Sequence, residues 1–343
     1  MEKRHQTASD ASNPTVCKQA ERSFSCRQHK EKHIVTLVGG DERQLAVSRF
    51  LAEAGYNVRA MGLGHGESVA VSDSAMPRGI RLYHRVAGAL EGCDAVVLPY
   101  PASRDGMTVP CPMEEGMTVS WDSVLSALRG RKEVTVFGGR IPTAWSEALK
   151  KEGICIVDYE DNEMFLQKNA YLTAEGAVMT AMGLTDRAIL HSKVAVIGYG
   201  RIGRELCRLL GAWGAHVTVV ARRAESRREA EMQGITALDV SDRMRLSAGY
   251  DVIFNTVPAK VLDRETLSAM PCDTLVIELA SAPGGLDPEG AKEAALRCGL
   301  QIIRAPGLPG RYAPQDAGRA VAECILETLR ASVIASEGGE VTV

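Results

Sequence analysis

Short apolar, β-branched runs alternate with longer amphipathic stretches through most of the chain, the pattern of buried parallel strands linked by helices. Ordered structure is expected from His33, where Ile34-Val35-Thr36-Leu37-Val38 reads as a strand and leads through Gly39-Gly40-Asp41 into a helix bearing Leu45, Val47, Phe50 and Leu51. Further strands are expected at residues 57–63, 95–98, 134–137 and 154–157. Five strands in βα alternation predict a flavodoxin-like open parallel sheet over residues 33–160. Residues 161–185 are rich in Ala, Met and Leu and lack proline, which predicts one or two connecting helices within 161–190. A second set of strands is expected at 194–197, 217–220, 235–238, 252–256, 275–279 and 301–304, the count of a full Rossmann domain over residues 191–312. A last helix, 314–332, is expected to complete the first domain. Residues 1–32 are polar without sustained periodicity and are expected to be a disordered tail. The fold class is thus α/β, with two open parallel-sheet domains joined by helices.

The densest chemical signal lies in the second domain. Val194–Ile197 runs straight into Gly198-Tyr199-Gly200-Arg201-Ile202-Gly203, a G-x-G-x-x-G spacing between a strand and a helix. In a dinucleotide site the first glycine makes the tight turn, the second admits the diphosphate, and the third lets the helix pack on the strand. Phosphate then sits on the unpaired N–H groups of the helix N-terminus. At the end of the next strand, where an NAD site carries Asp or Glu, the chain reads Ala221-Arg222-Arg223. No carboxylate is there to repel a 2′-phosphate and two guanidiniums are there to bind one, so NADP(H) is expected over NAD(H).

Ligands of open α/β sheets bind beyond the carboxyl ends of the strands. In the second domain these positions are Thr256-Val257-Pro258, Ala280-Ser281-Ala282-Pro283-Gly284-Gly285 and Ala305-Pro306-Gly307-Leu308-Pro309-Gly310. Cofactor contacts are expected from Thr256, Val257, Pro258, Ala280, Pro306, Gly307 and Leu308. In the first domain Gly39-Gly40 would form a smaller anion cradle, Arg43 would clamp a carboxylate, and Ser103 would add a hydroxyl donor. Asp41, Glu175 and Ser281 are the candidates for proton transfer and catalysis.

Composition narrows the classes. With 343 residues, 45% hydrophobic, 24% charged and a net charge of −3, the chain has the makeup of a two-domain enzyme, and its slight acidity argues against nucleic acid as a partner. No apolar run is long enough for a membrane span. The nine cysteines include no C-x-x-C pair, so no metal site is expected and a reducing cytoplasm is.

The strings VGGDERQLAVSRFL, LPYPAS, NAYLTAEG, VAVIGYGRIG, LASAPGGLD and APGLPGRYAPQDAGR resemble the dipicolinate synthase A-subunit family, in order, from about Ile34 to Leu329. The resemblance implies an enzyme of spore-forming bacteria, acting in the mother-cell cytoplasm with a smaller, flavoprotein-like B-subunit. It implies NAD(P)-dependent oxidation of a dihydrodipicolinate, derived from the 4-hydroxy-tetrahydrodipicolinate of the lysine pathway, to pyridine-2,6-dicarboxylate. A small dicarboxylate substrate is expected, and a homo-oligomer besides. Two alternatives stay open: a non-catalytic NADP-binding partner of the B-subunit, and an enzyme of the D-2-hydroxyacid dehydrogenase type. The second lacks its late acid/base histidine, since the last histidine is His216.

Overall fold

In the first half the apolar runs form β1 (Ile34–Val38), β2 (Asn57–Met61), β3 (Ile80–Tyr83), β4 (Ala95–Val97), a short hairpin of β5 (Thr108–Val109) and β6 (Val119–Ser120), β7 (Thr135–Gly138) and β8 (Cys155–Asp158). In the second half they form β9 (Lys193–Ile197), β10 (His216–Ala221), β11 (Thr236–Asp239), β12 (Val252–Asn255), β13 (Leu275–Glu278) and β14 (Gln301–Arg304). This computed structural model describes residues 33–64 and 80–336; the expected tail over residues 1–32 lies outside them. Among the described residues the strands build two six-stranded parallel sheets and the antiparallel β5–β6 hairpin. The chain divides into two units, the first running to Phe165 and resuming at Gly318, the second spanning Leu166–Ala317.

In the first unit the strand order is β3-β2-β1-β4-β7-β8. The five expected strands take the flavodoxin-like order 2-1-3-4-5, and β3 extends that sheet on the outside of β2 to give 3-2-1-4-5-6. Its sequence, IRLY, is half-buried to exposed along its length. An edge strand paired on one side needs no continuous apolar run, which is why none announces it. The second sheet has the order β11-β10-β9-β12-β13-β14, again 3-2-1-4-5-6. Along β9, Val194 and Val196 join one apolar cluster while Ala195 and Ile197 join another. Both faces of the sheet are therefore covered, as a parallel sheet requires.

One helix, Glu163–Leu184, fills the region where one or two were expected, and the last helix runs Pro314–Ser336. Each sheet reverses its strand order beside its central strand, between β1 and β4 and between β9 and β12. Those two carboxyl edges are the places to look for chemistry.

Candidate functional site

The turn after β9 meets the three glycine requirements one by one. Gly198 has φ +96°, and a Cβ on it would lie 2.3 Å from Thr256 Oγ1. A Cβ on Gly203 would lie 2.2 Å from the Gly198 carbonyl oxygen, so only glycine lets the Arg201–Ala212 helix pack this close to the turn. At Gly200 a Cβ would meet nothing within 4 Å, and no side chain caps the helix that begins there. Open space in front of a helix N-terminus that no side chain caps is what a diphosphate needs. The ring of Tyr199 is only 3% exposed and packs in the core beneath Arg204, so Tyr199 offers this turn only its backbone. Ile202 also packs on that core.

At the end of β10 the arginines divide. Arg227 donates to the Ala221 and Arg222 carbonyls at 2.8 Å each and pairs with Asp239 at 2.5 Å. Arg222 and Arg223 are exposed, and their side chains make no ion pair or hydrogen bond among the described residues.

The loops after β12 and β13 are joined by two residues that sequence reasoning missed. Glu278, 2% exposed, accepts from the backbone N–H of Ala280 (2.9 Å) and of Gly285 (2.9 Å) and from Asn255 Nδ2 (2.8 Å). Asn255, fully buried, also donates to the Val257 carbonyl and accepts from the Val257 N–H. Thr256 Oγ1 donates to the Ile197 carbonyl at 2.9 Å. Pro258 is exposed, and exposed Ser281 opens a turn in which its carbonyl accepts from Gly284 N–H. After β14, Pro306 and Gly307 are exposed, Gly307 at φ +66°. Leu308 differs from the expectation, because its side chain is 1% exposed and packed in the core. Like Tyr199, it offers a cofactor only its backbone.

The carboxyl edge of the first unit corrects three expectations. The Gly39 N–H donates to the Met61 carbonyl and the Gly40 N–H to the Pro110 carbonyl at 2.7 Å. Both donors of the supposed anion cradle are occupied by the chain itself. Arg43 does clamp a carboxylate in bidentate fashion, but the carboxylate is that of Asp41: Nε lies 2.8 Å from Oδ1 and Nη2 2.7 Å from Oδ2, with Nη2 also donating to the Tyr100 carbonyl. Asp41 in turn caps the Glu42–Glu53 helix by accepting from Arg43 N–H. Burial alone would raise its pKa, yet the Arg43 hydrogen bonds and charge outweigh burial and hold the carboxyl below its ordinary value. As a base it is correspondingly weak. Ser103 builds a tight turn, its hydroxyl lying 2.7 Å from the Thr108 carbonyl and 3.0 Å from Asp105 Oδ1. Its neighbour Arg104 is the residue that sequence reasoning overlooked. Exposed and without an ion pair or hydrogen bond among the described residues, its charge still reaches Asp41.

Glu175 lies half-buried in the Glu163–Leu184 helix one turn on from Tyr171, whose phenol pKa it raises and whose ring stacks under Arg208 at 5.5 Å. No group of three His, Cys, Asp or Glu side chains forms a metal-ligand cluster among the described residues, and no helix there is long and apolar enough to cross a membrane.

Comparison with known proteins fixes the family. Residues 34–160 match the N-terminal domain of the dipicolinate synthase A-subunit, and residues 164–286 match the NAD-binding domain of D-isomer-specific 2-hydroxyacid dehydrogenases. The dipicolinate synthase A-subunit of Bacillus subtilis (strain 168) is 30% identical over 273 residues, 77% of this chain and 86% of that protein. The chain belongs to the dipicolinate synthase A-subunit family. Two crystal structures from that family superpose on it: that from Bacillus halodurans at a TM-score of 0.74 with 28% identity, covering 87% of this chain and 97% of its own, and that from Bacillus subtilis at 0.74 with 26% identity, covering 89% and 98%. The second unit is thus an NAD(P)-binding domain of the dehydrogenase kind.

Proposed function

We propose that this family member is an NADP-dependent oxidoreductase that converts a dihydropyridine-2,6-dicarboxylate to the aromatic dicarboxylate, working with a B-subunit in the cytoplasm of a sporulating mother cell. The observation that carries the reading is the open turn at Gly198–Gly203, with no side-chain cap, flanked by two guanidiniums, Arg222 and Arg223, that are unpaired among the described residues. The N–H groups at Gly200, Arg201, Ile202 and Gly203 hold the diphosphate, and Arg222 with Arg223 holds the 2′-phosphate. A charge-assisted hydrogen bond of about 1.5–3 kcal/mol favours the phosphorylated cofactor by a factor of ten or more. Thr256, Val257, Pro258, Ala280, Pro306 and Gly307 border the remainder of the dinucleotide.

When bound, the nicotinamide supplies the acceptor for a hydride leaving a ring carbon. The chain supplies position, charge and a place for the proton lost as the ring becomes aromatic. Arg104, on the loop after β4, takes a substrate carboxylate in the role first assigned to Arg43 and Ser103. Glu175 and Ser281 remain candidates for proton transfer. Asp41, held ionised by Arg43, has the right protonation state but little basicity, which suffices when aromatisation drives the step.

The reading is tested by fluorescence titration of the purified chain with NADPH and with NADH, followed by NADPH formation from substrate with and without the B-subunit. Tight NADPH binding and turnover are expected. Equal affinity for NADH would remove the 2′-phosphate assignment, and cofactor binding without turnover in either setting would turn the chain into a binding partner.

A further inference from the structure

We propose that Glu278 and Asn255 form a buried clamp that positions the nicotinamide end of the cofactor, an assignment that rests on the cofactor reading above. The two residues are register partners at the last positions of β12 and β13. From there Glu278 holds the loop after its own strand at two points, Ala280 N–H and Gly285 N–H, and holds the Asn255 amide at a third. Asn255 passes the constraint on by gripping both polar groups of the Val257 peptide. A Cβ on Gly285 would sit 2.2 Å from Asn255 Nδ2 and 2.6 Å from the Val257 carbonyl oxygen. The second glycine of Pro283-Gly284-Gly285 is therefore the opening through which one loop is fastened to the other.

Loop fastening alone does not call for a carboxylate. Glu278 makes no ion pair among the described residues, although Arg304 is its register partner on β14; its two oxygens accept from three neutral donors, all of which belong to the two loops or their tether. Such a fully satisfied buried network fixes one conformation out of many. What it fixes here is the strand-end surface on the far side of the switch point. A dinucleotide with its 2′-phosphate at the end of β10 and its diphosphate on the turn after β9 extends across the strand ends toward β12 and β13, about 5 and 10 Å further on. The group that arrives there is the nicotinamide. Glu278 and Asn255 act on it through the Val257 and Ala280 backbones, so they are positioning residues.

The experiment compares NADPH with 2′,5′-ADP, which carries the adenosine and 2′-phosphate but no nicotinamide. Both are titrated against the full chain, the wild type first, then Glu278→Gln, Glu278→Asp and Gly285→Ala, with the emission of bound NADPH recorded alongside. Glu278→Gln turns one acceptor into a donor facing donors. Gly285→Ala displaces the Asn255 amide and leaves the carboxylate in place, so it decides the matter if Glu278→Gln reduces the folded yield. Both are expected to weaken NADPH binding by ~10-fold or more, the loss of one charged hydrogen bond, and to diminish its bound emission, while 2′,5′-ADP affinity stays within about twofold. Glu278→Asp, which keeps both acceptors, is expected to recover part of the loss. Equal weakening of both ligands, or no weakening of either, overturns the clamp. A wild type that binds neither ligand overturns the cofactor reading itself and takes the clamp with it.

Discussion

The carboxyl edges of the two sheets make a natural experiment, because the same strand order, with a glycine-bearing turn after the central strand in each, has met different fates. In the second unit the turn is open: Gly200 faces empty space and no side chain caps the helix. In the first unit the segment around β5 folds over the equivalent turn. The Pro110 carbonyl accepts from Gly40 N–H and lies 2.6 Å from where a Gly39 Cβ would be, and Cys111 Sγ lies 2.6 Å from where a Gly62 Cβ would be. Asp41 supplies the negative charge that the helix N-terminus favours. A phosphate there would find a carbonyl oxygen and a carboxylate already in its place. Topology makes an edge available; the neighbouring loops decide whether it is a nucleotide site.

Matched glycine substitutions break this comparison most sharply. Gly203→Ala drives a Cβ into the Gly198 carbonyl at 2.2 Å, where backbone on both sides leaves no flexible atom to yield. NADPH affinity is expected to fall more than ~100-fold, about 3 kcal/mol, with a lower melting temperature. Gly39→Ala places a Cβ at φ +66° against the Pro110 carbonyl. It is expected to cost roughly 1–3 kcal/mol of stability by chemical melting, with NADPH affinity unchanged within experimental error. If Gly39→Ala weakens NADPH as strongly as Gly203→Ala does, the two edges are not functionally distinct.

Charge substitutions sharpen it further. Arg222→Asp is expected to lower the preference for NADPH over NADH at least ~10-fold, from the loss of a charged hydrogen bond and the arrival of repulsion. Arg104→Ala is expected to raise the KM for the dicarboxylate several-fold and to leave both nucleotide affinities alone. An Arg104→Ala enzyme with wild-type KM would return the substrate carboxylate to an unassigned partner.

What the sequence disclosed and withheld follows the same division. The Gly198–Gly203 turn was legible because close approach at Gly198 and Gly203, with a positive φ at Gly198, demands glycine at a fixed spacing, and Arg222 stood out because a cation occupies a position where an acid is usual. The occlusion of Gly39-Gly40 was not, since it depends on a carbonyl some seventy positions further along the chain that carries no side-chain signature. Asn255 and Glu278 end the apolar runs VIFN and LVIE and meet only when β12 and β13 pair. No local spacing encodes a partnership across 23 positions. Strand β3 was hidden for the opposite reason: four residues of mixed polarity at a sheet edge resemble a loop. Arg104 was passed over in favour of Arg43 because helix position suggested a clamp, and only the folded chain shows which guanidinium is already engaged.

The smallest expected effect isolates the first unit's own ion pair. In Asp41→Asn the new side chain still caps the helix, since asparagine serves as well as aspartate there, so the substitution removes the charge and one of the two acceptors facing Arg43. The folded carboxyl titrates below its ordinary value, which for the unfolded chain is about 3.9. Folded protein therefore binds fewer protons than unfolded protein between the two values, and the contribution is present above the unfolded pKa and lost as pH falls through the folded one. The pair is partly open to solvent, with Asp41 34% and Arg43 13% exposed, and its net worth is about 1 kcal/mol or less. Urea melts at neutral pH should show wild type more stable than Asp41→Asn by that amount, with the gap narrowing below pH ~4 and NADPH affinity unmoved throughout. A gap that widens in acid would mean the carboxyl is not held ionised by Arg43. A fall in turnover beyond what the lost stability explains would mean Asp41 touches the reacting ring, and the first edge would then be occluded to phosphate yet open to substrate.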